Sequence, residues 1–165
     1  MIILGIDPGY AIVGWGVVRY ERARFKPLAF SAIITPAGMD FSQRLERIHA
    51  ETSLLLATHQ PDAVAVEKLY FKNNQKTAID VAQARGVILL AARQAGVELY
   101  EYTPLQVKSA VTGYGKAEKP QVMEMTRRLL GLRTVPKPDD TADALAIAIC
   151  HGQTGGTALK RSLMK

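Results

Sequence analysis

Cysteine is almost absent from this sequence, and the one that is present carries no evident chemistry. Among 165 residues the only cysteine is Cys150. It lies in the apolar run from Leu145 to Cys150, where a buried, inert thiol is expected rather than a disulfide partner or a metal ligand. The three histidines, His49, His59 and His151, form no cluster in the sequence. A zinc site is therefore not expected, and a reducing compartment fits the composition.

Long hydrophobic runs are also missing. The chain opens with an apolar stretch that turns polar at Asp7 and has no basic segment before it, so we expect neither a signal peptide nor a membrane span. There is no internal repeat and no low-complexity segment. With 48% hydrophobic residues over 165 positions, the sequence predicts one compact domain with an ample core, and we expect it to work in the cytoplasm.

Negative charge is in the minority. The chain has 15 Asp and Glu against 21 Lys and Arg, a net charge of +6, which permits contact with nucleic acid or an anionic membrane without requiring either. Yet Asp7 and Glu67 each end an apolar run, and Asp140 and Asp143 are one turn apart near the last helix. A group of carboxylates in a basic chain needs an explanation. A hard divalent cation bound to substrate phosphates supplies one.

The pattern of apolar residues and turns predicts an α/β fold. We predict strands at residues 2–6, 12–18, 28–35, 63–67 and 97–101, helices at 41–59, 77–95, 103–112, 119–130 and 140–151, and a flexible tail at 152–165. This order indicates a mixed five-stranded sheet flanked by helices, with an antiparallel meander at one edge and parallel strands in the middle.

Ligands bind such sheets beyond the carboxyl ends of the parallel strands. Asp7 and Glu67 both end predicted strands, so they become neighbours if those strands are adjacent and parallel. At i and i+3 of the last helix, Asp140 and Asp143 face the same side, as a shared metal site requires.

Five separated motifs resemble one family. They are Gly5-Ile-Asp-Pro-Gly9, Val66-Glu-Lys-Leu-Tyr-Phe71, Gln83-Ala-Arg-Gly86, Gly115-Lys-Ala-Glu-Lys119 and Asp139-Asp-Thr-Ala-Asp-Ala-Leu-Ala-Ile-Ala148, in order from about residue 2 to 150. Together they are similar to the bacterial Holliday-junction resolvases of the RuvC family. The resemblance implies an RNase H-like nuclease domain over residues 1–151, a homodimer, and metal-dependent cleavage of two symmetric strands of four-way DNA junctions in recombination and repair. It also implies a partnership with the branch-migration helicase complex RuvA-RuvB.

By position, the family's catalytic, metal-binding acids match Asp7, Glu67, Asp140 and Asp143. The expected cofactor is Mg²⁺, with Mn²⁺ able to substitute, at two ions per active site, because one ion activates a water and the other stabilises the leaving 3′ oxygen. Close carboxylates raise one another's pKa, so metal binding should release protons.

The residues alone leave other roles open. Either Asp139 or Asp140 could simply cap the last helix, and Glu67 and Asp143 taken singly could be solvated acids. Lys119 matches a position that balances charge on the attacked phosphate, which makes it a further catalytic candidate, although it could be an ordinary exposed lysine at a helix start.

An aromatic, polar and basic stretch follows Glu67, and we interpret it as a DNA-facing loop. The predicted DNA contacts are Tyr70, Phe71, Lys72, Asn73, Asn74, Lys76, Lys108 and Lys116. Tyr70 or Phe71 is expected to support an unpaired base at the junction centre, although bulky aromatics are more often core residues. Asn73 and Asn74 are suited to reading base edges, and the lysines to meeting phosphates, although each of Lys108 and Lys116 could equally be a solvated charge.

A C2 dimer matches the two equivalent strands of a four-way junction. The helix at 77–95 is the expected interface because it is rich in small and apolar residues, although a buried core helix would look the same. Arg85 is a candidate structural residue there. Two alternatives stay open: an actin-like kinase, which shares the glycines around Asp7 but needs two domains, and an RNase H-like protein that cuts structured RNA or only binds.

Overall fold

The computed structural model describes residues 1–69 and 75–162, and the side chains of 1–69 and 77–155. The elements are β1 (Ile2–Asp7), β2 (Ile12–Glu21), β3 (Arg24–Ile34), α1 (Phe41–His59), β4 (Ala63–Glu67), α2 (Gln75–Gln94), β5 (Glu98–Tyr102), α3 (Pro104–Thr112), α4 (Lys119–Leu129) and α5 (Asp139–Ser162). No helix among these residues is long and apolar enough to cross a membrane.

The five strands form one mixed sheet in the order β3-β2-β1-β4-β5. β1 pairs antiparallel with β2 and parallel with β4, and β5 extends the parallel side. The predicted meander is confirmed at one edge, and the parallel strands occupy the centre and the opposite edge. Because Ile6 and Val66 are partners in the β1–β4 register, the next residues, Asp7 and Glu67, end their strands side by side at the same end of the sheet.

Helices cover both faces of the sheet, and the alternation of the strands divides the core between them. Residues such as Ile3 and Val18 face α3, α4 and α5, whereas Leu4 and Val17 face α1 and α2. These four side chains are completely buried. The sheet is therefore a rigid platform, with α5 packed against β1 and β2 on one face.

Glycines on β1 and β2 allow α5 to approach the sheet very closely. A Cβ on Gly14 would fall 1.9 Å from the backbone oxygen of Asp140, and a Cβ on Gly5 would fall 2.1 Å from that of Ala144. Both distances are far below van der Waals contact, so only glycine fits at these positions. The glycines therefore set the depth at which the first turn of α5 meets the end of β1.

β2 and β3 extend further toward the turn between them than predicted. The predicted strands leave residues 19–27 between them, but the turn takes only Arg22 and Ala23, which have φ values of 49° and 60°. Consequently β3 begins at Arg24, which pairs with Glu21. Both of these charged residues are exposed.

The last helix is also longer than predicted. α5 runs to Ser162 instead of ending near His151, so residues 152–162, which we predicted to be a flexible tail, are helical. Gly152 leaves room for the ring of Phe25, whose Cε1 would lie 2.5 Å from an added Cβ.

His151 lies inside this helix and is buried, a placement that the sequence analysis missed. Its Nδ1 is 2.7 Å from the Tyr102 hydroxyl oxygen, and burial lowers the pKa of the imidazole. Cys150 is buried, as predicted, and burial raises the pKa of its thiol to about 12. His49 contacts the side-chain oxygen of Gln94 at 2.8 Å, which links α1 to α2.

Candidate active site

The first part of the site is the carboxyl end of the parallel strands. Asp7 ends β1 and Glu67 ends β4, and both side chains are partly buried. The hydrophobic residues that precede each acid are buried in the sheet. Each of these two strands therefore ends in a carboxylate at the same end of the sheet. This is where α/β sheets place their ligands.

The second part is the first turn of α5. The backbone N–H of Thr141 donates to the carbonyl of Pro138 at 3.0 Å, and the Thr141 hydroxyl donates to the carbonyl of Ser31 on β3 at 3.1 Å. These bonds, with the contact on Gly14, hold the start of the helix against the sheet. Asp140 and Asp143 are thereby directed toward the end of β1.

The electrostatics show that the four predicted acids lie around one point. The pKa of Asp7 is raised well above its ordinary value, first by burial and then by the charges of Asp143, Glu67 and Asp140. The pKa values of Glu67 and Asp143 are raised as well, again mainly by burial. Carboxylates raise one another's pKa only when they are close. The structure therefore brings together the acids that the sequence singled out.

Asp139 is oriented differently from its neighbour Asp140. Its carboxylate accepts from Lys137 Nζ at 2.6 Å, and this hydrogen bond is the main reason that its pKa is lowered. It is absent from the charges that shift Asp7, whereas Asp140 is among them. Of these two neighbouring acids, Asp140 is therefore the one whose charge acts on Asp7.

Lys119 brings positive charge to the acids. It is the first residue of α4, where the side-chain oxygen of Gln121 accepts from the backbone N–H of Glu118 at 2.9 Å and caps the helix. Lys119 Nζ lies 2.9 Å from Asp143 Oδ2. Desolvation opposes the charge on this ammonium, but the hydrogen bond and the charge of Asp143 outweigh it, so the pKa of Lys119 is raised.

A cavity of about 250 Å³ opens beside the acids. Glu67, Asp143, Lys108 and Lys119 line it, together with the apolar residues Val107, Val122, Ala146 and Ile147 and with Pro104. Lys108 also lowers the pKa of Glu67, which places its charge near that carboxylate. Lys116, which was also predicted to contact phosphate, is exposed and forms no ion pair among the described residues.

The chemistry of these donors fits a divalent cation. Carboxylate oxygens are the ligands that hard cations prefer, and the raised pKa of Asp7 shows that the carboxylates repel one another. Within 1–69 and 75–162, no three His, Cys, Asp or Glu side chains are already arranged as a metal site. The ammonium of Lys119 supplies the cationic charge next to Asp143 instead.

Several predicted DNA contacts lie outside the described residues. These are Tyr70, Phe71, Lys72, Asn73 and Asn74, and the side chain of Lys76. Residues 70–74 lie between Glu67 at the end of β4 and the start of α2, and Lys76 is the second residue of that helix. The segment therefore follows directly after a carboxylate of the site.

Arg85 and Glu101 were not recognised as part of this region from the sequence. Arg85, for which the sequence suggested a structural role at a dimer interface, forms an ion pair within the chain with Glu101 on β5. Its Nε also donates to the backbone carbonyl of Glu67 at 3.3 Å. The Gln83-Ala-Arg-Gly86 motif was the only signal in the sequence, and it does not reveal these partners because they lie on two other elements.

Comparison with known proteins identifies the family. The model of the family described as "Crossover junction endodeoxyribonuclease RuvC" matches residues 3–151. A protein of that name from Rubrobacter xylanophilus is 59% identical over 150 residues, which cover 91% of this chain and 84% of that protein.

Solved structures agree with the sequence match. Thermus thermophilus RuvC superposes with a TM-score of 0.89 at 39% identity, covering 96% of this chain and 97% of that one. T. thermophilus RuvC in complex with a Holliday junction substrate gives a TM-score of 0.87 at 38% identity, over 95% and 96% of the two chains. The mixed sheet with its flanking helices is an RNase H-like fold. With four acids at its sheet end and a family match over most of its length, this chain belongs to the RuvC family of crossover junction endodeoxyribonucleases.

Proposed function

We propose that this protein resolves four-way DNA junctions by hydrolysing one phosphodiester bond in each of two symmetric strands. The catalytic centre consists of Asp7, Glu67, Asp140 and Asp143. The observation that carries this proposal is that the charges of Asp143, Glu67 and Asp140 all raise the pKa of Asp7, which lies at the carboxyl end of the parallel strands. A relative's structure in complex with a Holliday junction substrate supports the choice of DNA.

The same four acids would hold a divalent cation, Mg²⁺ or Mn²⁺, and we propose two ions per active site. When bound, such ions activate a water and stabilise the leaving 3′ oxygen. Asp7 is the central ligand because its pKa responds to all three of the other acids. Binding of cations to the ionised carboxylates releases the protons that the crowded site favours.

Lys119 contributes a positive charge that the acids orient. Its Nζ lies 2.9 Å from Asp143 and 3.8 Å from Asp139, and Lys119 and Glu67 line the same cavity. We propose that this ammonium balances the charge of the attacked phosphate. We propose that Lys108, which lines the same cavity, contacts a neighbouring phosphate.

Most of the DNA contacts beyond the acids come from the segment after Glu67, whereas Lys116 lies in the link between α3 and α4. We propose that Tyr70 or Phe71 supports an unpaired base at the junction centre. Lys72, Lys76 and Lys116 contact phosphates, and Asn73 and Asn74 read base edges. Support for these roles comes from residue types and from the position of the segment between a site carboxylate and α2.

A homodimer follows from the symmetry of the substrate. Support comes from α2, which exposes Ile79 at 66% and Leu90 at 50% of their surface, an apolar surface that a second copy would cover. The partnership with a branch-migration helicase complex, RuvA-RuvB, rests on family membership alone.

The test is strand cleavage of a synthetic four-way junction and of linear duplex, with and without Mg²⁺ or Mn²⁺, by the wild type and Asp7→Asn. The proposal expects paired symmetric nicks in the junction, lost without metal and in the variant. Absence of cleavage on mixed-sequence junctions, with cleavage of structured RNA instead, would refute it.

A further inference from the structure

The peptide group that follows Glu67 is held from both sides. Its carbonyl oxygen accepts a hydrogen bond from Arg85 Nε at 3.3 Å, and its N–H, which belongs to Lys68, donates to the carbonyl of Tyr102 at 2.8 Å. Because the peptide unit is planar, binding both ends fixes the orientation of the whole plane. The backbone rotation that aims the Glu67 carboxylate into the site is fixed with it.

Arg85 itself is held firmly. Its side chain is 15% exposed and forms an ion pair with Glu101 on β5. The adjacent Ala84 and the next turn's Ile88 are completely buried, so this part of α2 cannot shift without disturbing the core. One guanidinium thus joins α2 to the ends of two neighbouring strands.

Arginine suits this task better than lysine. The planar guanidinium presents several N–H donors in a rigid fork and can serve two acceptors at once, whereas an ammonium on a flexible chain is a point charge. At Arg85 the two acceptors are a backbone carbonyl and a carboxylate on different strands. Lysine at this position could satisfy Glu101 but would release the Glu67 carbonyl.

We propose that Arg85 is a positioning residue for the nuclease reaction, which orients Glu67 through its backbone carbonyl and does not itself contact the DNA. This inference rests on the proposed function of Glu67 as a catalytic acid. Since α2 begins just beyond the predicted DNA-facing segment, Arg85 also links that segment's helix to the catalytic carboxylate.

The test separates cleavage from binding. Two quantities are measured for the full-length wild type, Arg85→Ala and Arg85→Lys. The first is the single-turnover rate of cleavage of a four-way junction. The second is the Kd for the junction, measured in Ca²⁺ so that no cleavage takes place. Displacing a catalytic group by about an ångström costs roughly 100-fold in rate, so we expect Arg85→Ala to lose about tenfold or more in rate with Kd unchanged. Arg85→Lys should also be slow, because the charge remains but the second donor is lost.

Arg93→Ala is the matched control, since Arg93 is an exposed arginine two turns further along α2 with no ion pair among the described side chains. A wild-type rate in Arg85→Lys would overturn the proposal, as would a loss of cleavage that equals the loss of binding or a similar loss in Arg93→Ala. If thermal unfolding shows that Arg85→Ala is not folded, the result for Arg85→Lys alone decides whether the proposal stands.

A third readout reports on Glu67 directly. If Arg85 acts by orienting that carboxylate, Arg85→Lys should raise the Mn²⁺ concentration needed for binding, measured by calorimetry without DNA. An unchanged affinity would overturn the proposal. Failure of the wild type to cut junctions would refute the proposed function instead, so the two failures are distinguishable.

Discussion

The backbone of Gly14 packs directly against the backbone of Asp140: a Cβ added to Gly14 would lie 1.9 Å from the Asp140 carbonyl oxygen. Gly14 is also the partner of Asp7 in the β1–β2 register. One missing side chain therefore sets the distance between an acid on the sheet and an acid on α5. The separation of these two carboxylates depends on a residue that has no functional group.

Gly14→Ala should impair cleavage strongly. A methyl group cannot occupy a point 1.9 Å from a backbone oxygen, so α5 must move away from Gly14 on β2 and carry Asp140 with it. Misplacement of this size costs roughly 100-fold in rate, and overpacking of this kind costs about 1 to 3 kcal/mol in the free energy of unfolding. Single-turnover cleavage and thermal unfolding measure the two effects.

Gly38→Ala is the control for this change. A Cβ added to Gly38 would have nothing within 4 Å, and its φ is not positive, so alanine there should leave the cleavage rate at the wild-type value. A Gly14→Ala variant that cuts at the wild-type rate would show that α5 is not positioned by this contact.

Asp7→Asn should stabilise the metal-free protein while abolishing cleavage. The pKa of Asp7 is raised in the folded state, mainly by burial, so the ionised carboxylate opposes folding at neutral pH and a neutral amide does not. Asp7→Asn should therefore have the larger free energy of unfolding at neutral pH, since a raised pKa means that ionisation costs free energy in the folded state. The measurement is urea unfolding of both proteins in EDTA.

The pH dependence of that difference checks its cause. The raised pKa means that folded Asp7 takes up its proton before unfolded Asp7 does, so the advantage of Asp7→Asn should shrink as pH falls through the folded pKa and vanish below about the ordinary value of 3.8. Glu46→Gln, at an exposed position on α1 outside any ion pair seen in the described chain, should have no such effect. A pH-independent difference would exclude this explanation.

The cleavage rate should fall at acidic pH with a midpoint above the ordinary range of a carboxyl group. Asp7, Glu67 and Asp143 all have raised pKa values in the metal-free protein, and a protonated carboxyl group cannot serve as an anionic ligand. Higher Mg²⁺ should move the midpoint to lower pH, because cation and proton compete. A midpoint that does not respond to Mg²⁺ would contradict this competition.

Lys119→Ala should move the acidic limb of the pH–rate profile to higher pH. Lys119 lowers the pKa of Asp7, Glu67 and Asp143, so its removal allows these groups to be protonated more readily. The rate at neutral pH should also fall, because the Lys119 ammonium no longer balances the negative charge of the attacked phosphate. Lys137→Ala is the control, since Lys137 binds Asp139 and is not among the charges that shift those three acids. An unmoved limb in Lys119→Ala would remove Lys119 from the site.

The sequence revealed the parts of this molecule that follow from local pattern. The helix at Phe41–His59 and the strand at Ala63–Glu67 were predicted to the residue, because apolar spacing and the flanking proline fix them. The four acids could be identified because each ends a strand or begins a helix, and the topology brings such positions together. Family resemblance added Lys119, whose contact with Asp143 the structure shows.

Long-range contacts were what the sequence could not reveal. The sequence did not show that α5 continues past His151, because the packing of the Phe25 ring over Gly152 joins residues that are far apart in the chain. Arg85 was interpreted as a structural residue of a dimer interface, and its partners Glu101 and the Glu67 carbonyl could not be identified because they belong to other elements. Propensity is local, whereas close approach depends on tertiary packing.

The DNA-facing lysines can be separated from the catalytic residues by salt dependence. Each lysine that meets a phosphate releases a counterion, so Lys72→Ala, Lys76→Ala and Lys108→Ala should each weaken junction binding and lower the slope of log K against log salt by roughly one unit. Lys26→Ala is the control, because Lys26 pairs with Arg19 near the opposite end of the sheet from Asp7. Asp7→Asn should leave the slope unchanged while abolishing cleavage. An unchanged slope for both Lys72→Ala and Lys76→Ala would remove that segment from the DNA interface and leave junction binding to the cavity lysines.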